Sequence, residues 1–150
     1  MKLYIAGPLF TQAERRWNRE LAAALRLLDP SLELFLPQDE AVAEDDVPNF
    51  SKIFEICLRG IDNADIVVGI LDGPDSDSGT CFECGYAYAR GKPVVGVRTD
   101  LRNSEDRGLN AMLSRACTQV LLFPCLNESI HKLAARIHDG ISQLQRLSGP

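Results

Sequence analysis

Asp65-Ile66-Val67-Val68-Gly69-Ile70-Leu71-Asp72-Gly73-Pro74-Asp75-Ser76-Asp77-Ser78-Gly79-Thr80-Cys81-Phe82-Glu83-Cys84-Gly85 decides the fold of this chain. Residues 65–71 form a nearly continuous apolar run, the pattern of a strand buried on both faces of a parallel sheet. An acidic turn follows, and Ser78-Gly79-Thr80 opens a small-residue helix expected over 79–90, stopped by Gly91 ahead of Lys92-Pro93. Glu83 falls near the first turn of that helix. A carboxylate there faces the positive end of the helix dipole and free backbone N–H groups, so it is expected to stay ionised.

Working outward, strand and helix alternate along the whole chain. Residues 2–6 read as a first strand, stopped by Gly7-Pro8. Residues 12–28 carry Trp17, Leu21, Ala24, Leu25 and Leu28 at helical spacing, with Thr11 and Glu14 forming a capping box and Pro30 as terminator. Residues 33–36 read as a second strand ended by Pro37, followed by an acidic segment through Asp46 that reads as a mobile loop. Residues 50–62 place Phe50, Ile53, Phe54, Cys57, Leu58 and Ile61 on one helical face. Residues 93–97 and 119–123 read as strands, 98–108 as a polar surface loop, 109–116 as a short helix and 127–146 as a long one. Five short strands separated by helices predict a three-layer α/β domain with a five-stranded parallel sheet. Ligands of such sheets bind beyond the C-terminal ends of the strands. Those ends are Gly7 to Phe10, Pro37 to Asp39, Asp72 to Asp77, and Arg98 to Asp100.

Composition narrows the function. A chain of 150 residues is most simply one domain spanning 1–150 and buries roughly 70% of its unfolded surface without a metal or disulfide. The net charge of −5 disfavours a nucleic-acid-binding surface. No segment reaches the about 18 apolar residues of a membrane span, and the N-terminus reads as a strand rather than a signal peptide. Five cysteines without a secretory signal suggest reduced thiols and a cytoplasmic location. Cys81 and Cys84 form a lone C-x-x-C, read as two small packing residues rather than a redox pair or metal site. No metal site is expected.

Phosphate-loop, dinucleotide and nucleophile-elbow motifs are absent. His131 and His138 both lie on the final amphipathic helix and read as rim residues. Carboxylates, amides, Tyr4 and Phe10 remain at the strand ends, a set suited to glycosyl chemistry, in which a carboxylate attacks or stabilises an oxocarbenium-like carbon. Glu83, beside Phe82, Gly85 and Ala87, is the first candidate, because a buried carboxylate is rare unless paired or used. For the other candidates a structural role competes with a functional one. Tyr4 suits a core aromatic, and Phe10 a hydrophobic staple of the first helix. Asp77 suits a helix cap, Asp72 an Asp-Gly turn, and Gln38 either base-edge recognition or an ordinary loop contact.

These residues resemble a known family. Tyr4-Ile5-Ala6-Gly7-Pro8-Leu9-Phe10 looks like the opening motif of nucleoside 2-deoxyribosyltransferases. Asp77-Ser78-Gly79-Thr80 followed by Glu83 and Gly85-Tyr86-Ala87 looks like their catalytic motif. Gly91-Lys92-Pro93-Val94 and Asn110-Ala111-Met112-Leu113 follow in the right order. The resemblance implies a flavodoxin-like fold, no cofactor, and transfer of 2-deoxyribose between the bases of 2′-deoxynucleosides. In that scheme Glu83 is the nucleophile at C1′, Asp77 contacts the base and helps protonate it, and Tyr4 orients the nucleophile. Phe10 stacks near the base. Gly7, Gln38, Asp72 and Gly79 are the further substrate-binding candidates, Gln38 for its amide at a strand end and Asp72 as a strand-end carboxylate. Asn110 and Met112 match residues lent by a neighbouring subunit, implying a homo-oligomer (dimer to hexamer) with a shared site. The partners implied are small molecules, deoxynucleosides and free nucleobases. One departure stands out: Cys57 occupies a place where many relatives carry a sugar-contacting aspartate, and its spacing puts it on the apolar helix face. Hydrolysis of 2′-deoxynucleoside 5′-monophosphates is the nearest alternative activity, disfavoured by the apolar Pro8-Leu9-Phe10-Thr11 loop. A non-catalytic nucleotide-binding module is the third.

Overall fold

In the computed structural model, residues 1–40, 48–102, 108–124 and 128–148 are described. The five strands are β1 (Lys2–Ala6), β2 (Glu33–Phe35), β3 (Ile66–Ile70), β4 (Val94–Arg98) and β5 (Gln119–Leu122). The helices are α1 (Gln12–Leu28), α2 (Pro37–Glu40), α3 (Phe50–Asn63), α4 (Ser78–Ala89), α5 (Ala111–Ala116) and α6 (Ile130–Ser148). All strand pairs are parallel, in the order β2-β1-β3-β4-β5. This is the flavodoxin-like order, with its topological switch point between β1 and β3.

Two-residue periodicity splits the core between the faces of the sheet. Leu3 and Ile5 join Ile66, Val68, Ile70, Val95 and Val97 against α1 and α6. Tyr4 and Ala6 join Val67, Leu71 and Val94 on the opposite face, with Cys84 and Ala87 of α4 and Leu113 of α5. Every residue of β3 is buried. Cys84 explains half of the C-x-x-C: its sulfur sits over Gly69, only 2.7 Å from where a Cβ would stand. Cys81 instead reaches the Ser76 carbonyl at 3.7 Å, and both thiols are free.

The capping box of α1 forms as its sequence indicates, Thr11 Oγ1 accepting from Glu14 N and Glu14 Oε2 accepting from Thr11 N. Three expectations change. Pro37 does not merely end β2; it opens the short helix α2, because its fixed φ suits a first helical turn and its missing N–H is not needed there. Asn110, placed inside a helix from 109, is instead the N-cap of α5, its side chain accepting from Leu113 N at 2.9 Å. Arg98 does not sit in a surface loop: it ends β4 and is 2% exposed. Most of the acidic segment before α3, and Cys125, lie outside the described residues.

Candidate active site

The site gathers at the β1 and α4 end of the sheet. Tyr4 points from β1 toward α3 and α4, its ring stacked on Phe35 at a centroid distance of 5.2 Å. Gly60 makes this possible: a Cβ on α3 at that position would lie 2.9 Å from the Tyr4 ring and 2.7 Å from Phe35. The Tyr4 hydroxyl donates to Glu83 Oε1 at 2.5 Å. Cys57, one turn before Gly60, packs against the same cluster as Tyr4. Asp62 locks α3 against α4 by accepting from the Tyr86 hydroxyl and from Arg90 Nε at 2.8 Å.

Glu83 lies in the second turn of α4, because the helix starts at Ser78. The first-turn amides are therefore not its partners. Asp77 takes that role: its Oδ2 accepts from Thr80 N at 2.8 Å and from Thr80 Oγ1 at 2.9 Å. The electrostatics of Glu83 are set by burial, which pushes its carboxyl up to about 7. The Tyr4 and Cys57 hydrogen bonds pull it down and the nearby Asp77 charge pushes it up. The expectation of a carboxylate kept ionised by the helix dipole is thus replaced. Near neutrality Glu83 is divided between acid and carboxylate, because desolvation outweighs its two donors. Burial together with the Glu83 charge raises the Tyr4 hydroxyl far above its ordinary range, so it remains a donor.

The other candidates fall into separate groups. Asp72 is a clamp: Oδ1 accepts from Thr99 N at 2.5 Å and Asp100 N at 2.9 Å, and Oδ2 from Thr99 Oγ1 at 2.5 Å. Arg98 completes the brace by donating to the carbonyls of Leu71, Gly73 and Arg102. Together these bonds fix the loop that carries Asp77. Gln38 turns inward, donating to the Arg15 carbonyl at 2.9 Å and accepting from Asn18 Nδ2 at 3.1 Å. Gly7 brings β1 against β3, with a Cβ position 3.2 Å from the Ile70 side chain. Gly79 leaves room for the capping carboxylate, since a Cβ there would be 3.2 Å from Asp77 Oδ2. Phe10 is 69% exposed and packs no staple. A cavity of about 380 Å³ opens among Pro8, Trp17, Asn18, Ile70, Asp72 and Gly73.

Asn110 and Met112 line a different depression of about 570 Å³ between α4 and α5, with Cys81, Gly85 and Tyr88. Met112 is 84% exposed. Cys57 sits where its spacing placed it, on the α3 face that packs against the Tyr4 cluster. Among the described residues, no helix is long and apolar enough to cross a membrane.

The family model described as nucleoside 2-deoxyribosyltransferase matches residues 3–113, a span that includes Tyr4, Cys57, Asp77 and Glu83. A protein of Ureaplasma parvum serovar 3, described as uncharacterized protein UU063, is 33% identical over 140 residues, covering 83% of this chain and 85% of its own. The crystal structure of a conserved protein from Enterococcus faecalis V583 superposes with a TM-score of 0.75 at 30% identity, covering 93% of this chain and 98% of that one. A 2-deoxyribosyltransferase from Bacillus psychrosaccharolyticus superposes with a TM-score of 0.69 at 25% identity, covering 89% and 90%. With the matched span reaching from the first strand through the Tyr4–Glu83 pair to α5, the chain belongs to the nucleoside 2-deoxyribosyltransferase family.

Proposed function

We propose that this protein transfers 2-deoxyribose between nucleobases of 2′-deoxynucleosides in two displacements. The observation that carries the reading is the half-buried Glu83 carboxyl held by the Tyr4 hydroxyl at 2.5 Å. In the first step an ionised Glu83 oxygen attacks C1′, the C1′–N bond breaks, and the electron pair leaves on the base, which takes a proton from water on the Asp77 side. In the second, a ring nitrogen of the incoming base attacks C1′ and gives up its proton to water on the same side, and the ester C1′–O bond breaks, returning the pair to Glu83. Tyr4, which stays protonated, holds the carboxylate before attack and stabilises it as it departs.

Incubation with thymidine and adenine, followed by chromatography, tests this directly. Deoxyadenosine is the expected product. Free thymine without deoxyadenosine would replace transfer by hydrolysis, and no turnover with saturable binding would replace catalysis by binding.

Tyr4→Phe removes one donor that favours the charged form of Glu83. The ascending limb of the pH–rate profile, expected near pH 7 in the wild type, should therefore move to higher pH, with the greatest loss of rate on its acid side. An unmoved limb would show that Tyr4 does not act on the nucleophile.

A second copy of the chain is proposed to cover the α3–α4–α5 face. Phe50, Phe54, Phe82, Tyr88 and Met112 are all exposed there, and a Cβ on Gly85, in the middle of α4, would meet nothing within 4 Å. A helical glycine costs about 1 kcal/mol relative to alanine, and no contact among the described residues calls for one. Close approach of another backbone does. Sedimentation should find the wild type as an oligomer and Met112→Glu shifted toward monomer with loss of base exchange. A monomeric, fully active wild type would rule out a shared site.

A further inference from the structure

The cavity of about 380 Å³ has walls that the two displacements at Glu83 do not use. It opens where Pro8 and Asp72-Gly73 leave β1 and β3, at the switch point of the sheet and on the face packed against α1. Pro8, Ala13, Trp17 and Ile70 make it mostly apolar, and apolar clefts of about 300–1,000 Å³ with a few placed polar groups are the usual small-molecule sites. Its open polar groups are of one kind. Asn18 is 6% exposed, and its Nδ2 gives both hydrogens away, to the Pro8 carbonyl at 3.0 Å and to Gln38 Oε1 at 3.1 Å. Two acceptors around the nitrogen fix the amide's orientation, so the oxygen is the atom left over. That Oδ1 lies 3.6 Å from the Cβ position of Gly7, beside the Ile70 side chain, and accepts no hydrogen bond among the described residues. The sealed orphan atoms among those residues are Arg98 Nε and Gln119 Oε1. Asn18 Oδ1 is not one of them, because it opens onto the cavity. Glu14 stands one turn earlier on the same face of α1. Its Oε2 accepts from the Phe10 and Thr11 amides, which leaves Oε1 open. Both oxygens of Asp72 are engaged by Thr99 and Asp100. No lysine, arginine or histidine is among the described residues of the lining.

We propose that this cavity binds a nucleobase carrying an exocyclic amine, the class of adenine and cytosine, and that Asn18 selects it. The ring lies against Trp17 and Ile70, and the amine donates to Asn18 Oδ1. A ligand rich in N–H donors satisfies an acceptor that an apolar ligand would desolvate and leave without a partner. An anionic ligand would meet the Glu14 and Asp72 carboxylates with no cation in the lining to offset them. As a statement of substrate class the inference rests on the proposed transfer, whose base it names. Occupation of the cavity itself is separate from turnover.

Trp17 is the single tryptophan of the chain, so its fluorescence reports the cavity directly. The wild type is titrated with adenine and with purine, which differ by the amine alone, and both are then offered as acceptors in base exchange with thymidine. Adenine should quench Trp17 saturably. Purine should bind about tenfold more weakly and be the poorer acceptor by a similar factor in kcat/KM. Ala13→Phe, on the exposed side of α1, fills the cavity without touching the sheet and should abolish the quenching while the melting temperature is kept. Asn18→Leu should erase the difference between adenine and purine; should that variant not fold, the two ligands on the wild type decide the matter alone. Equal affinity for adenine and purine, no quenching by adenine, or quenching unchanged in Ala13→Phe would overturn the proposal. Selective quenching in a protein that exchanges no base would uphold the site and overturn the transferase reading. Base exchange with neither quenching nor a preference for adenine would do the reverse.

Discussion

Glu83→Gln should lose base exchange by about 10³-fold or more and at the same time become more stable than the wild type at pH 8. The first effect follows from the nucleophile: an amide oxygen does not form a stable ester with C1′, and no second carboxylate hydrogen-bonds to Tyr4 among the described residues. The second follows from linkage. The Glu83 carboxyl stands at about 7 in the folded chain against an ordinary value of 4.5, so the folded state binds this proton more tightly than the unfolded state does. Stability from this group is present below pH 4.5 and is lost as pH rises from there to about 7. A displacement of that size corresponds to about 3 kcal/mol. Glutamine does not titrate and escapes this loss. The melting temperature of Glu83→Gln should exceed that of the wild type by about 5–10 °C at pH 8, and the gap should shrink below pH 5. Equal gaps at both pH values, or wild-type rates in the variant, would refute the assignment. Opposed changes in stability and activity are the mark of a group buried for use rather than for packing.

Gly60→Ala should damage the same site from a distance. A Cβ there would come within 2.7–2.9 Å of Phe35 and Tyr4, and these rings are stacked on each other. Alanine gains about 1 kcal/mol of helix propensity, but overpacking costs about 1–3 kcal/mol, so a net loss is expected. The larger effect is on the reaction. If the Tyr4 ring moves, its hydroxyl leaves Glu83 Oε1, and a misplacement near 1 Å costs on the order of 10²-fold in rate. A variant with wild-type kcat and melting temperature would mean that the α3–β1 approach does not set the Tyr4–Glu83 geometry.

Much of the architecture was legible in order along the chain. The apolar run of β3, the alternation in β1 and the Thr11–Glu14 capping box are local patterns, and local patterns are what a sequence displays. Glu83 stood out because a carboxylate among small and apolar residues has no cheap structural explanation. Asp72, Gln38 and Arg98 did not reveal their roles, because their partners lie well away in the chain: Thr99 for Asp72, Arg15 for Gln38, Leu71 for Arg98.

The sequence by itself determined the α/β order of elements, the family and the identity of the central carboxylate, because each is written in periodicity or in a contiguous motif. Tertiary structure alone decided the state of that carboxylate. Burial against β1 and α3, rather than the start of its own helix, sets the Glu83 charge. Desolvation and hydrogen bonding depend on which elements meet, and a linear pattern does not specify that.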